Sequence, residues 1–232
     1  TELLWCSSAW RQHQIPDVPV AIGTVSVTPV RSVRDLGIFI DCDVSMRTHV
    51  SKTVSSCFAA LRRIRSIRRS VTKPVLRSLV VSLVLTKLDY GSATLAGLPK
   101  RLLDRLQSVQ NAAARLVHSA RKYDPITPLL RDLHWLRVPE RIEYRLAVLA
   151  FRCQHGLAPS YLSNELKRVS DMECRRRLLS ASTARLDLLD LKHNNIGDRA
   201  FPGRCRRVAA HVWNSLPPVV QLVPSLQTFK GR

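Results

Sequence analysis

Asp41-Cys42-Asp43 places two carboxylates one residue apart, and paired carboxylates are what hold a divalent cation for phosphoryl transfer. That chemistry also needs a third carboxylate from elsewhere and a phosphate-bearing substrate. The pair stands where a strand hands over to a helix, a position at which acids cap free backbone N–H groups and favour the helix N-terminus, so we read it as capping. A zinc set strung from Cys153, His155, Cys174, His193, Cys205 and His211 follows no compact C-x-x-C or H-x-x-x-H spacing. Cys153 also falls on an apolar helical stripe, so these cysteines read as core thiols. The sequence has no Ser-His-Asp or Cys-His arrangement, phosphate-binding glycine loop or dinucleotide fingerprint. No catalytic residue, metal ligand or cofactor is assigned to this chain.

Positive charge is what the sequence supplies in excess. Lys and Arg number 37 against 17 Asp and Glu, a formal charge of +20, with a pI near 10.9. Such a balance opposes compaction unless a polyanion offsets it, which makes nucleic acid the leading partner. Arg62, Arg63, Arg65 and Arg69 are the first choice for phosphate contacts, with Lys52, Arg101 and Arg105 second. Contacts of that kind are salt-sensitive and largely independent of sequence. Trp10, Trp135 and Trp213 could stack on bases, but a Trp flanked by leucines, as in Leu133-His134-Trp135-Leu136, is more often core. No apolar run approaches the ~20 residues that span a bilayer, so no membrane partner is expected. The longest, Leu79 to Leu85, contains Ser82. The six scattered cysteines read as reduced thiols of an intracellular protein, nuclear or cytoplasmic.

The elements that position these residues are mainly helical. With 45% hydrophobic residues in 232, the chain can build one large or two small cores. Thr1 to Cys6 reads as a strand, and Val20 to Val30 as one side of a hairpin whose partner is Val33 to Ile40. After residue 46 Val50, Val54, Cys57/Phe58, Leu61, Ile64 and Ile67 recur at helical spacing, leaving Lys52, Arg62, Arg63 and Arg69 on the opposite face. Thr72 caps a helix through Tyr90 that is apolar on nearly every side and therefore central; Gly91 stops it. The next helix, after Gly97-Leu98-Pro99, turns Leu103, Leu106, Val109, Ala113, Leu116 and Val117 inward and Lys100, Arg101, Arg105, Arg115, Arg121 and Lys122 outward. A further helix runs from about Pro139 to Gly156 with Ile142, Leu146, Leu149 and Cys153 inward, followed by a short one through Tyr161, Leu162 and Leu166. Residues 167–195, with Arg175-Arg176-Arg177, read as an irregular linker before an ordered 196–232. The N-terminus, Thr1-Glu2-Leu3-Leu4-Trp5, reads as cut from something longer.

Taken in order, several short motifs resemble a family. They are Leu36-Gly37-Ile38-Phe39-Ile40-Asp41, Ser45-Met46-Arg47-Thr48-His49-Val50, Leu88-Asp89-Tyr90-Gly91 and Leu106 to Leu116, then Leu133-His134-Trp135-Leu136 and His155 to Leu162. Gly197-Asp198-Arg199-Ala200-Phe201 and Val212-Trp213-Asn214-Ser215-Leu216-Pro217 complete the series. In this order they resemble the end of the reverse transcriptase of jockey-like non-LTR retrotransposons. The resemblance implies a mainly α fold: a palm remnant over 1–45 with a small β-hairpin, a helical thumb over 46–123, and a helical C-terminal region over 124–166. The linker 167–195 and the segment 196–232 follow. It also implies that Leu36 and Gly37 form the tip of a primer grip, and that the partners are an RNA–DNA or DNA primer–template and the polymerase's upstream palm and fingers. The aspartates that would bind Mg²⁺ lie in that upstream part, so the fragment alone is expected to be inactive. Two other expectations compete: a non-catalytic basic module for nucleic-acid binding or nucleoprotein assembly, and a relic without function.

Overall fold

The computed structural model describes residues 2–171, 185–187 and 201–231. The fold is mainly α, with small antiparallel hairpins near the N-terminus. The chain divides into two compact units, one of residues 1–92 and 98–140, the other of residues 93–97 and 141–232.

After a 3-10 helix (Ala9–Gln14), the first unit has β1 (Val20–Ile22), β2 (Val25–Val27), β3 (Ser32–Asp35) and β4 (Ile38–Asp41). The expected single hairpin is two. β1 pairs with β2, and β3 with β4, because the first run reverses within itself at Gly23, whose φ of 63° suits a tight turn. Thr1 to Cys6 forms no regular strand among the described residues. Leu3 makes one isolated bridge to Pro29, a residue with no N–H to extend a ladder.

Soon after β4 the chain enters α1 (Arg47–Ile67). Its N-cap, Met46, is left-handed and supplies no side-chain cap. The Asp41 carboxylate does so from the end of β4, accepting from the Thr48 N–H (3.1 Å) and the Ser45 hydroxyl (3.2 Å), while Asp43 accepts from the Ser45 N–H (3.0 Å). The capping reading therefore holds for Asp41, which is buried at the helix N-terminus, whereas Asp43 accepts from Ser45, ahead of the N-cap Met46, and shapes the turn into the helix. Beside it His49 is buried with Nδ1 facing the Phe39 N–H (3.4 Å). Burial pushes the imidazole pKa down, partly opposed by Asp41.

Val50, Cys57, Leu61 and Ile64 of α1 are buried as the spacing requires, but Ile67 is exposed at the helix end. The Cys57 thiol faces the Val84 carbonyl and is pushed up to about 11 by burial. The helix expected through Tyr90 is α2 (Lys73–Val80), one π-helical stretch (Val81–Leu85), and α3 (Thr86–Asp89). It is not buried on all sides. Leu76, Val80, Val84, Leu85 and Leu88 face the core, whereas Val75, Val81 and Leu83 are exposed, because neighbours cover one side only. Gly91, with φ 65°, ends it as expected.

α4 (Lys100–His118) buries Leu102, Leu106, Val109, Ala113, Leu116 and Val117. Leu102 takes the inward place expected of Leu103, since positions 102, 106, 109 and 113 complete the i, i+4, i+7, i+11 stripe. α5 (Ile126–Asp132) follows, a helix too short for its periodicity to stand out in the sequence. It ends in a Schellman closure: the Trp135 N–H reaches the Leu130 carbonyl (2.8 Å) across His134 at φ 55°. Leu133-His134-Trp135-Leu136 is thus a helix stop whose Trp is buried, not a stacking platform.

α6 (Val138–Gln154) is tied to α4 at its start. Gln107 accepts the Val138 N–H (2.8 Å) and donates to Gln110 (3.1 Å) and Asn111 (2.8 Å); Gln110, fully buried, donates to the Leu136 carbonyl (2.7 Å). These bonds satisfy the amides of Gln107, Gln110 and Asn111, including the buried Gln110 beside the apolar face of α4.

In the second unit α6 ends at Gly156 (φ 67°) with another Schellman closure, Leu157 N–H to Arg152 carbonyl at 2.8 Å. α7 (Ser160–Ser163) is shorter than expected, with Leu166 buried beyond its end. α8 (Phe201–Ser215), α9 (Pro218–Gln221) and α10 (Leu226–Gly231) complete the unit. Its core is aromatic: Phe151 lies 6.5 Å from Trp213 and 4.6 Å from Phe229, centroid to centroid. Trp213 is therefore a core residue, and Asn214 beside it accepts from the Leu186 N–H (2.9 Å) and donates to the Leu186 carbonyl (3.0 Å). This contact gives residues 185–187 of the expected linker a fixed partner. Arg175-Arg176-Arg177, Cys174, His193, Gly197-Asp198-Arg199-Ala200 and the side chain of Trp10 lie outside the described residues.

Candidate nucleic-acid interface

α1 and α4 lie side by side and point the same way. Near their starts Arg105 Nη2 donates to Ser51 Oγ (3.2 Å). Towards their ends Phe58, Leu61, Arg62, Arg65 and Arg68 face Ala112, Arg115 and Leu116 across a groove of about 650 Å³. The chain after α4 closes one end with Ser119, Ala120, Arg121 and Lys122. The turn at Ser119 (φ 59°) is a third Schellman closure, in which the Ala120 N–H meets the Arg115 carbonyl at 3.0 Å. That reversal brings Arg121 and Lys122 back towards α1.

Six cations, Arg62, Arg65, Arg68, Arg115, Arg121 and Lys122, therefore share one groove, and its lining includes no carboxylate. Two helix C-termini meet there, each equivalent to roughly −0.5 of a charge, which offsets about one of the six. The nearby Asp124 carboxylate accepts from the Arg121 backbone N–H (2.6 Å), and the Asp124 carbonyl from Arg115 Nη2 (3.4 Å). Arg115 Nε is buried with no partner among the described residues. Most of the positive charge stays uncompensated, and a polyanion would offset it.

The residues expected to contact phosphate are only partly brought together. Arg62 and Arg65 line the groove. Arg63 is exposed on α1 and Arg69 in the 3-10 turn (Arg68–Ser70) just beyond it, and neither is part of the groove lining; on α1 a helix turns about 100° per residue, which puts Arg63 on a different face from Arg62. Arg101 is exposed near the start of α4, and Arg105 is held by Ser51. Lys52 packs its ammonium 4.1 Å from the centre of the Phe39 ring on β4, a cation–π contact that fixes the hairpin to α1. Arg68 is a groove residue that charge along α1 did not single out, and Arg115, Arg121 and Lys122 belong to the groove and not merely to an outer face. The i, i+3, i+6 spacing of Arg62, Arg65 and Arg68 was the available signal.

Leu36 and Gly37 stand at the tip of the β3–β4 hairpin with φ of 44° and 84°, both positive as in a type I′ turn. Leu36 is 83% exposed, although its type is usually buried. The Tyr90 hydroxyl, just beyond α3, donates to the Leu36 carbonyl and holds the tip.

Among the described residues no three His, Cys, Asp or Glu side chains converge as a metal site. No helix among them is long and apolar enough to cross a membrane. Cys6, Cys42, Cys57, Cys153 and Cys205 are free thiols, and burial next to Cys153 pushes Cys205 up to about 11. No protein-family model, curated protein or solved structure matches this chain.

Proposed function

We propose that this chain is the C-terminal part of an RNA-directed DNA polymerase of the non-LTR retrotransposon kind, and that it grips a primer–template through its phosphate backbone. The observation that carries the reading is the groove between α1 and α4, where six cations gather without a carboxylate in the lining. The order of the motifs supports it, as does the exposed hairpin tip at Leu36 and Gly37, which suits a primer-grip role. The chain works inside the cell, beside the polymerase's upstream palm and fingers. Divalent metal for nucleotide transfer would be held by carboxylates upstream. Asp41 and Asp43 do not fit that task, since both are engaged in shaping the start of α1. The fragment by itself then binds and positions nucleic acid without chemistry.

The test is binding of the chain to a labelled RNA–DNA primer–template and to plain duplex DNA across a salt series. Preference for primer–template, with affinity falling steeply with salt, is the expected result. Equal binding of the two would favour a basic helical module for nucleoprotein assembly, a reading that the same groove also serves. Failure of the folded protein to bind either would overturn both.

A further inference from the structure

The groove's lining is both basic and apolar. Phe58, Leu61, Ala112, Leu116 and Ala120 line it together with the cations, and Phe58 is its one aromatic residue. A duplex gripped by its backbone has no use for such apolar residues, because its bases are paired and stacked inside and only phosphate and sugar meet the protein. A strand with unpaired bases has one: single-strand sites combine cations that follow the backbone with an aromatic face on which a base stacks. The groove's size also falls in the range of pockets that enclose a small organic group, roughly 300–1,000 Å³. Phe58 is half-buried, so its ring is fixed by α1 while part of it stays open. Arg62, Arg65, Arg121 and Lys122 line the same groove.

We infer that this groove takes an unpaired nucleotide of a single strand, with the base against Phe58 and the flanking phosphates on Arg62, Arg65, Arg68, Arg121 and Lys122. The inference rests on the nucleic-acid reading above and adds to it a preference for a strand end or overhang next to the gripped duplex. It requires no sequence preference, since every base presents a π face.

The experiment is fluorescence anisotropy with the full chain and three probes: a single strand of about ten nucleotides, within the usual site size, an abasic strand of the same length and charge, and a blunt duplex. Intact strand should bind at least about fivefold tighter than abasic strand. Phe58→Leu, which keeps the apolar bulk of the core, should abolish that gap, and Phe58→Trp should preserve it, with circular dichroism confirming that both variants fold. Equal binding of intact and abasic strands, or a gap that survives Phe58→Leu, overturns this inference and leaves the backbone-binding reading standing. Should neither variant fold, the wild-type comparison of intact with abasic strand decides alone. Absence of binding to all three probes overturns both.

Discussion

Tyr90 packs directly against Gly37: a Cβ added to Gly37 would lie 3.2 Å from Tyr90 Cε1, and the Tyr90 hydroxyl donates to the neighbouring Leu36 carbonyl. The chain just beyond α3 thus fixes a hairpin tip that lies far earlier in the sequence. Gly37 is doubly constrained, by its φ of 84° and by the ring against it.

Gly37→Ala is therefore expected to destabilise the protein by about 1 kcal/mol or more, from left-handed strain and the tight approach to the ring. Tyr90→Phe should cost about 0.5–1.5 kcal/mol, the worth of one hydrogen bond. Leu36→Asn should act in the other direction, since Asn tolerates the positive φ that Leu resists. Urea unfolding measures all three, and a neutral Gly37→Ala would show that the tip is not held in this way.

Gln110→Leu should be among the most destabilising polar substitutions in the first unit. It removes the donor that serves the Leu136 carbonyl and breaks the link to Gln107, leaving buried groups without partners at a cost of about 1–3 kcal/mol. Denaturant midpoints with an unchanged slope are the appropriate reading.

His49 carries a pH prediction. Its folded-state pKa lies below the ordinary value because burial disfavours the imidazolium. The neutral form is thus favoured by folding. Its contribution is present above the unfolded pKa of about 6.5 and is lost as the pH falls through the lower folded value. His49→Asn keeps an acceptor for the Phe39 N–H and removes the titration, so the stability of the variant should fall less between about pH 7 and pH 5 than that of the wild type. Thermal melts at several pH values test this; identical profiles for both proteins would refute it.

Two helix ends use residues other than glycine where the backbone is left-handed, Ser119 after α4 and His134 after α5. Ser119→Gly and His134→Gly should each raise stability by up to about 1 kcal/mol.

Arg62→Ala with Arg65→Ala and Arg121→Ala should weaken nucleic-acid binding and lower the salt slope by roughly 0.9 for each duplex phosphate that the protein no longer neutralises. Its thermal stability should hold or rise, since like charges are removed from a crowded groove. Arg63→Ala with Arg69→Ala, outside the groove lining, should change the slope less. A reversed ranking would move the interface to another face of α1.

Much of the architecture was legible in the residues themselves. The 3.6-residue recurrence of Val50, Cys57, Leu61 and Ile64 specified α1, the run from Leu106 to Val117 specified α4, and Gly91 and Gly156 marked true helix ends. Asp41 could be recognised as a cap because capping is local chemistry. Charge composition gave the excess of cations without any knowledge of the fold.

Local patterns did not settle which side of α2 is covered, that the first forty residues make two hairpins, or that Leu133-His134-Trp135-Leu136 closes a helix. Those outcomes depend on backbone reversals and on neighbours remote in sequence. The candidate site illustrates the division best. Sequence could count arginines on one helix, but only packing α1 parallel to α4, and then turning the chain back at Ser119, brings Arg62, Arg65 and Arg68 together with Arg115, Arg121 and Lys122. Periodicity assigns a residue to a face of its own helix; the register between two helices, set by how their side chains interlock, decides which faces meet.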